Sequence, residues 1–159
     1  MKHLSSNKNK TKILLILFVF IIIVYNLIWL INWYPYHNKT NEYSPMPKGW
    51  YRVDEQYIFT IKEPDYLSFT GNYAICTYDG VALLIWPNLF HLGELEYGIQ
   101  IEENENAYRF YIDGDLEYKE KDMNYTDEEI IGLKGLINEK YDILVSIMEV
   151  AKSEWNLKM

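Results

Sequence analysis

The stretch YAICTYDGVALLIW, residues 73–86, decides the fold. Two apolar runs with the alternation of β-strands, 73–78 and 81–86, flank the dipeptide Asp79-Gly80. An Asp-Gly pair between apolar runs is the strongest short-range signal for a β-hairpin, because both residues of such a turn need a positive φ. Pro87 ends the second strand, since it has no amide hydrogen to donate to a sheet. The stretch therefore predicts two neighbouring antiparallel strands.

The alternation continues on both sides of this hairpin, in short runs separated by polar turns. Further strands are predicted at residues 56–62, 66–70, 94–102, 107–112 and 116–119. A second Asp-Gly pair at 113–114 predicts another hairpin, and residues 87–93 predict a loop. Short strands joined in sequence by tight turns form an antiparallel meander. We expect a sheet of about six or seven strands.

The period changes near the carboxyl end, where apolar residues recur at spacings of three and four from Ile130 to Trp155. Thr126 and Glu129 form the pattern of a capping box at the start of this segment. The pattern predicts one long helix with a broad apolar face that packs on one face of the sheet, in an α+β fold. Gly132 and Gly135 weaken the first turns, and they mark either a break or a close approach to the sheet.

The amino-terminal part predicts a membrane anchor. Residues 1–12 are basic, residues 13–34 are almost wholly apolar, and aromatic residues gather at 29–36. An apolar helix of this length spans a bilayer, and its lysine-rich side stays in the cytoplasm. A cleaved signal peptide has a shorter apolar region and small residues at its cleavage site, which this sequence lacks, and a buried helix of a soluble protein is the remaining alternative. Residues 35–49 are predicted to be an extended linker, and residues 50–159 an extracytoplasmic domain.

Charge and cysteine content narrow the classes of function. The formal net charge is −8, from 15 basic and 23 acidic residues, which argues against nucleic-acid binding. The amino-terminal tail holds four lysines and no acid, so the predicted outer domain is more acidic than the whole chain. Its natural partners are positively charged: a cationic protein, a metal ion or a cationic ligand. The single cysteine, Cys76, excludes an internal disulfide and is expected to be a small core residue.

No pattern in the sequence indicates catalysis, a cofactor or a metal. The three histidines are His3, His37 and His91, and only His91 falls within the predicted domain, in its 87–93 loop. A catalytic triad or a histidine-based metal site therefore lacks parts. Residues 113–117, DGDLE, resemble the start of a calcium loop, but the spacing of an EF-hand is missing and a hairpin turn explains them. We expect a protein that is not an enzyme.

The candidate partner-binding residues are acidic and aromatic. Acidic residues are expected to bunch toward one end of the meander, either as a docking surface for a basic partner or as a solvated face that keeps edge strands apart. The candidates among them are Glu102, Glu103, Glu105, Asp113, Asp115 and Glu117. Trp86 lies beside the 87–93 loop and Phe90 lies in it, and they either tuck under the helix, which we favour, or form an exposed binding tip.

Size, single anchor, acidic outer domain and the lack of catalytic residues together resemble the small single-span envelope proteins that give immunity against interbacterial toxins. The resemblance is one of type and carries over no functional residues. It implies a non-catalytic protein that occludes a basic partner outside the cytoplasm. The alternative is a ligand-sensing or assembly ectodomain that works with other membrane proteins, in which Asn26 makes contacts between helices.

Overall fold

The computed structural model describes residues 3–67, 69–88, 94–103, 106–120 and 125–157, and of residues 3–9 only the backbone. The fold is α+β: an apolar amino-terminal helix, an open antiparallel sheet of eight strands and two carboxyl-terminal helices. The elements are α1 (His3–His37), β1 (Ser44–Met46), β2 (Gly49–Val53), β3 (Tyr57–Lys62), β4 (Asn72–Thr77), β5 (Val81–Pro87), β6 (Leu95–Glu103), β7 (Asn106–Ile112), β8 (Tyr118–Lys119), α2 (Asp127–Glu139) and α3 (Tyr141–Trp155).

The sheet is a meander in which every strand pairs with its neighbours in the sequence, in the order β1 to β8. The register aligns apolar side chains across the strands. One row near the middle joins Phe59, Ile75, Leu83, Ile99 and Phe110. All five are at most 2% exposed, because they point toward the face that the two carboxyl-terminal helices cover. Alternate residues point to the opposite face, which we call the outer face.

The number of strands differs from the prediction, because two strands were missed and one predicted strand is absent. β1 and β2 form the first hairpin, in a stretch whose prolines hid the alternation. The predicted strand at 66–70 does not form. Phe69 has a φ of +56°, a left-handed backbone that a strand cannot contain, and its ring contacts α1 instead of a neighbouring strand.

Both Asp-Gly pairs lie in hairpin turns, but the turns differ from the two-residue type. In the first turn Gly80 has a φ of +80°, whereas Asp79 does not have a positive φ. In the second turn the positive φ of +65° belongs to Leu116 and not to Gly114. Asp113 closes this turn, since its Oδ1 accepts bonds from the amides of Asp115 at 3.0 Å and Glu117 at 2.9 Å. A longer turn held by a side chain thus replaces the expected tight one.

The carboxyl-terminal segment forms two helices and not one. The capping box at Thr126 and Glu129 is confirmed. The break falls at Lys140, whose amide bonds back to the Leu136 carbonyl at 3.0 Å. Gly132 and Gly135 lie inside α2, where an added Cβ would meet nothing within 4 Å. The two glycines therefore mark neither the break nor a close approach to the sheet.

The main core lies between the helices and the sheet. Trp155, 1% exposed, stacks on Tyr73 with ring centroids 4.8 Å apart and lies edge-on to Phe59 at 6.2 Å. Leu144 and Ile147 of α3 are fully buried against the same face. Burial of a side chain of this size stabilises a fold by about 1.5–3 kcal/mol, so α3 is the element that holds the sheet most firmly.

The stretch 35–49, for which we expected an extended linker, packs against the domain. α1 continues to His37, and Tyr36, 4% exposed, stacks on Tyr73 with centroids 4.7 Å apart. Tyr43, 8% exposed, donates a hydrogen bond to Glu154 at 2.7 Å and accepts one from the indole of Trp155 at 3.0 Å. The end of α1 is therefore joined to the domain through its core.

The helix α1 is long and apolar enough to span a membrane over Lys10–His37, with a mean hydropathy of 3.0, properties that signal sequences and buried helices of soluble proteins share. Its side chains from Ile13 to Ile23 are all exposed, whereas Val24, Tyr25, Asn26, Trp29 and Trp33 are partly buried. The first half of the apolar stretch thus projects from the domain, and the second half lies along it.

Candidate binding surface at the end of the sheet opposite the first helix

The sheet has two ends of different character, which the register defines. The near end contacts α1, and it carries the row Ile61, Tyr73, Ile85, Tyr97 and Ile112. The far end carries the turns that follow β2 and β4 and the last residues of β6, where Val81 pairs with Ile101. The six residues of β4 separate the two ends by about 17 Å, at ~3.3 Å per residue.

Besides Asp54 and Glu55 in the turn after β2, the far end carries the carboxylates of Asp79, Glu102, Glu103 and Asp142. The amide of Glu102 donates to the Gly80 carbonyl at 2.9 Å, which brings the tip of the β4–β5 turn against the end of β6. Within the described part of the chain, Asp79, Glu103 and Asp142 take part in no ion pair. Lys140 is the described cation on which Asp79 and Glu103 act, so this end carries more carboxylates than cations.

Lys140 lies in the field of these acids. Its ammonium is 2.6 Å from the carboxylate of Glu139, and this hydrogen bond is the largest cause of its raised pKa. The charges of Glu103 and Asp79 raise the pKa of Lys140 further. The positive charge of Lys140 is thus favoured at the far end, because several carboxylates act on this ammonium group.

A groove of about 420 Å³ opens at the far end between the sheet and α3. Tyr57 and Tyr78 line it together with the carboxylates of Asp79 and Asp142. Tyr57 shares a hydrogen bond with Ser146 at 2.9 Å, which fixes the α3 side of the groove, and Tyr78 donates to the Asp54 carbonyl at 2.9 Å. Tyr78 is 60% exposed, so an aromatic ring and two carboxylates face the same opening.

A second cleft of about 330 Å³ lies between β7 and α2, with Glu103 at its edge. Its walls are mostly apolar and include Tyr108, Tyr125 and Leu133. Tyr125 is held in place by its hydroxyl, which donates to the Arg109 carbonyl at 2.6 Å. Aromatic walls next to carboxylates suit the long side chains of lysine and arginine, which combine an apolar stem with a cation.

The predicted acidic cluster is divided between the two ends. Glu102 and Glu103 lie at the far end of β6, whereas Asp113, Asp115 and Glu117 lie in the turn after β7, at the near end. The expectation that these residues bunch at one end is wrong, because β7 separates them along its whole length. Glu105 lies outside the described residues.

Trp86 does not tuck under the helices. It points to the outer face, where its indole donates to Glu96 at 2.9 Å and its ring lies edge-on to Tyr111 at 5.6 Å. A Cβ on Gly98 would stand 2.8 Å from this indole, so the ring lies directly on the backbone of the neighbouring strand. The expectation of a packed Trp86 under the helix is wrong because β5 presents Leu83 and Ile85 to that side. Phe90 and His91 lie outside the described residues.

Cys76 also lies on the outer face, next to Ile58 and Ala82, and is partly buried instead of lying in the core under the helices. Burial, and to a smaller degree the charge of Glu102, raise the pKa of the Cys76 thiol. The thiol is therefore held in its unreactive protonated form. Among the described residues, no group of three His, Cys, Asp or Glu side chains is placed to hold a metal ion.

At the near end, two carboxylates connect segments that are far apart in the chain. Neither was among the residues singled out from the sequence. Glu63 accepts hydrogen bonds from the indoles of Trp33 at 2.9 Å and Trp50 at 3.1 Å, and its Oε1 lies 2.9 Å from Nδ1 of His37. Glu154 of α3 accepts bonds from Tyr43 and from Arg52, each at 2.7 Å. Nothing in the local sequence distinguishes these acids, because their donors come from distant segments.

Comparison of the chain with protein-family models, with curated proteins and with solved structures finds no match.

Proposed function

We propose that the chain is a single-pass membrane protein that binds a basic protein partner without catalysing a reaction. Its amino terminus lies in the cytoplasm and its α+β domain lies on the other side of the inner membrane, periplasmic or extracellular. The exposed apolar side chains from Ile13 to Ile23 support the anchor, since in water they would be unpartnered. The lysines at positions 8, 10 and 12 support the orientation.

The observation that carries the binding proposal is the far end of the sheet. It combines Asp79, Glu103 and Asp142 with the exposed ring of Tyr78, at the end of the domain opposite the contacts with α1. An anchored domain offers this end most freely to a partner that arrives from outside. Acidic and aromatic side chains together recognise basic proteins, since the charges steer the encounter and the rings supply contact area.

The partner we propose is a basic toxin of a competing bacterium, which makes this chain an immunity protein. Binding would cover the toxin's own working surface with the far end of the domain, and the anchor would keep the inhibitor where the toxin arrives. Steering by the acidic end raises the association rate, which matters for an inhibitor that must act before its target does.

The test is capture of a partner by the full chain in lipid nanodiscs, with two variants of equal charge change. Glu102→Gln with Glu103→Gln removes two negative charges from the far end, and Asp115→Asn with Glu117→Gln is the matched control at the near end. We expect a basic protein to be retained at near-equal stoichiometry by the wild type and the control, and to be lost with the far-end variant. Equal retention by both variants, or capture of no protein, contradicts the proposal.

The alternative is a ligand-sensing or assembly ectodomain, which the joint at Glu63 favours. That carboxylate connects α1 to β2 and β3 through the Trp33 and Trp50 indoles, so a change in the domain can reach the helix. The two functions differ in what they require of the contacts between α1 and the domain. A sensor should lose its function when the Glu63 contacts with Trp33 and Trp50 are removed, whereas an inhibitor should keep it as long as the anchor and the packing of Tyr36 are kept.

A further inference from the structure

The loop between β3 and β4 lies along the last turns of α1. Tyr66 and Phe69 of this loop approach Tyr25 edge-on, with ring centroids 5.1 Å and 5.0 Å away, and Tyr66 lies 5.5 Å from Trp29. We call Tyr66, Leu67 and Phe69 the loop tip. Phe69 adopts the left-handed backbone, with a φ of +56°, that turns its ring toward the helix.

The position of this contact along α1 indicates how deep the loop tip would lie in a bilayer. The hydroxyl of Tyr66 donates to Oδ1 of Asn26 at 3.0 Å. Asn26 precedes Tyr34 by eight residues, which is about 12 Å along a helix at ~1.5 Å per residue. If the apolar stretch 13–34 fills the ~30 Å hydrocarbon layer, the ring of Tyr66 lies below its outer boundary.

The side-chain polar groups of Asn26, Tyr66 and Tyr25 are bonded within the protein, whereas Nε1 of the neighbouring Trp29 is buried without a hydrogen-bond partner among the described residues. The amide nitrogen of Asn26 donates to the Ile22 carbonyl at 2.8 Å, and its oxygen accepts from Tyr66. The hydroxyl of Tyr25 donates to the backbone carbonyl of Tyr66 at 2.5 Å. These bonds lower the cost of placing the Asn26, Tyr25 and Tyr66 side chains in lipid, where no water can satisfy their polar groups.

The outer side of the loop tip is apolar and open. Leu67 is 85% exposed, the largest exposure among the described large hydrophobic side chains, and it lies beside a helix whose Ile31 is 70% exposed. Asp65 precedes the tip and accepts the amide of Leu67 at 2.9 Å, which holds the backbone of the turn. An exposed leucine next to an exposed apolar helix is explained when one lipid phase covers both.

From these observations we infer that the loop tip is a second membrane contact, which inserts into the outer leaflet beside α1. This inference rests on the proposed anchor. Two contacts fix the orientation of the domain, whereas a single helix leaves it free to tilt. The near end then faces the lipid, and the far end with its carboxylates points away from the membrane.

The test uses the full chain with Cys76→Ser in liposomes, labelled with an environment-sensitive fluorophore at one introduced cysteine. The positions are Leu67→Cys in the loop tip, Leu17→Cys in the apolar helix and Glu55→Cys at the far end. Leu67 and Glu55 are both exposed, so neither change removes packed contacts. Brominated lipids quench a probe inside the bilayer, and iodide quenches a probe in water.

We expect the probes at positions 67 and 17 to be quenched several-fold more strongly by brominated lipid than the probe at 55, and to be shielded from iodide. If position 17 behaves in this way and position 67 behaves like 55, the inference is wrong and the anchor stands. If position 17 also behaves like 55, the anchor is wrong and the inference falls with it. Protection of position 67 from both quenchers would show a protein contact in place of lipid and would also overturn the inference.

Discussion

Glu63 and Glu154 at the near end differ from Asp79, Glu103 and Asp142 at the far end in how they are partnered, although the near end also carries Asp115 and Glu117, which form no ion pair with a described residue. At the near end Glu63 and Glu154 accept hydrogen bonds from indole, phenol and guanidinium groups of distant segments. At the far end Asp79, Glu103 and Asp142 form no ion pair with any described residue. Carboxylates that are bonded inside a protein hold its parts together, whereas unneutralised ones remain available to a partner. The comparison therefore assigns a stabilising role to Glu63 and Glu154 at the near end, and the far-end carboxylates are those for which we propose a role in binding.

The largest expected effect is at the near end. Trp155→Ala removes a ring that stacks on Tyr73 and is 1% exposed, and should lower the free energy of unfolding by about 3–5 kcal/mol. Tyr78→Ala, at the far end, removes a ring that is 60% exposed. This change should alter the free energy of unfolding by less than about 1 kcal/mol. Denaturant unfolding of the full chain in detergent micelles measures both. Equal losses would remove the distinction between the ends.

A smaller effect is expected from Glu63→Gln. The amide keeps the shape of the carboxylate but weakens its bonds to the indoles of Trp33 and Trp50, and should cost about 1–3 kcal/mol. Glu103→Gln is the matched change at the far end and should leave the free energy of unfolding almost unchanged. If Glu103→Gln destabilises the chain as much as Glu63→Gln does, Glu103 has a structural role, and the proposed difference between the two ends is wrong.

Alkaline pH should lower the free energy of unfolding, because it ionises a buried tyrosine at the near end. Burial, and then the neighbouring Tyr36 and Tyr43, raise the pKa of Tyr73 above its ordinary value near 10. The folded state therefore binds this proton more tightly than the unfolded state. The resulting stability is present below pH 10 and is lost as the pH rises above it. Tyr73→Phe should make the decline above pH 10 shallower in a thermal-melting series, and an unchanged slope would contradict this cause.

The smallest effect is expected away from both ends, at Gly135 in α2. A Cβ there meets nothing within 4 Å, so Gly135→Ala should stabilise the chain by about 0.5–1 kcal/mol through helix propensity. Gly98→Ala is the contrasting change. Its Cβ would stand 2.8 Å from the Trp86 ring, so this substitution should destabilise the chain. Thermal melting compares the two variants. A loss of stability with Gly135→Ala would mean that α2 packs more closely than the structure shows.

Much of the fold follows from local pattern. The strands around Asp79-Gly80 and the capping box at Thr126 were predicted correctly, because alternation and capping are properties of neighbouring residues. The 66–70 stretch was predicted wrongly for the same reason: its alternation is that of a strand, but Tyr66 and Phe69 pack on Tyr25, some forty residues earlier. The break at Lys140 was also missed, since no proline or glycine marks it.

The candidate site was predicted only in its residue types. Glu102 and Glu103 lie at the end we propose for binding, whereas Asp113, Asp115 and Glu117 lie at the other end. Which acids share an end depends on the direction of each strand and on where the turns fall. The contribution of Asp142 could not be predicted, because α3 brings it to the β4–β5 turn from the other end of the chain.

The sequence by itself determined the apolar helix, the antiparallel meander and the helical carboxyl end, because each depends on periodicity and on residues a few positions apart. The tertiary structure decided which carboxylates are bonded within the chain and which form no ion pair with a described residue. It also decided that the end of α1 belongs to the domain core and that the β3–β4 loop lies along the helix. These features depend on contacts between segments far apart in the chain, such as Tyr36 on Tyr73 and Tyr43 on Trp155, which no local pattern specifies.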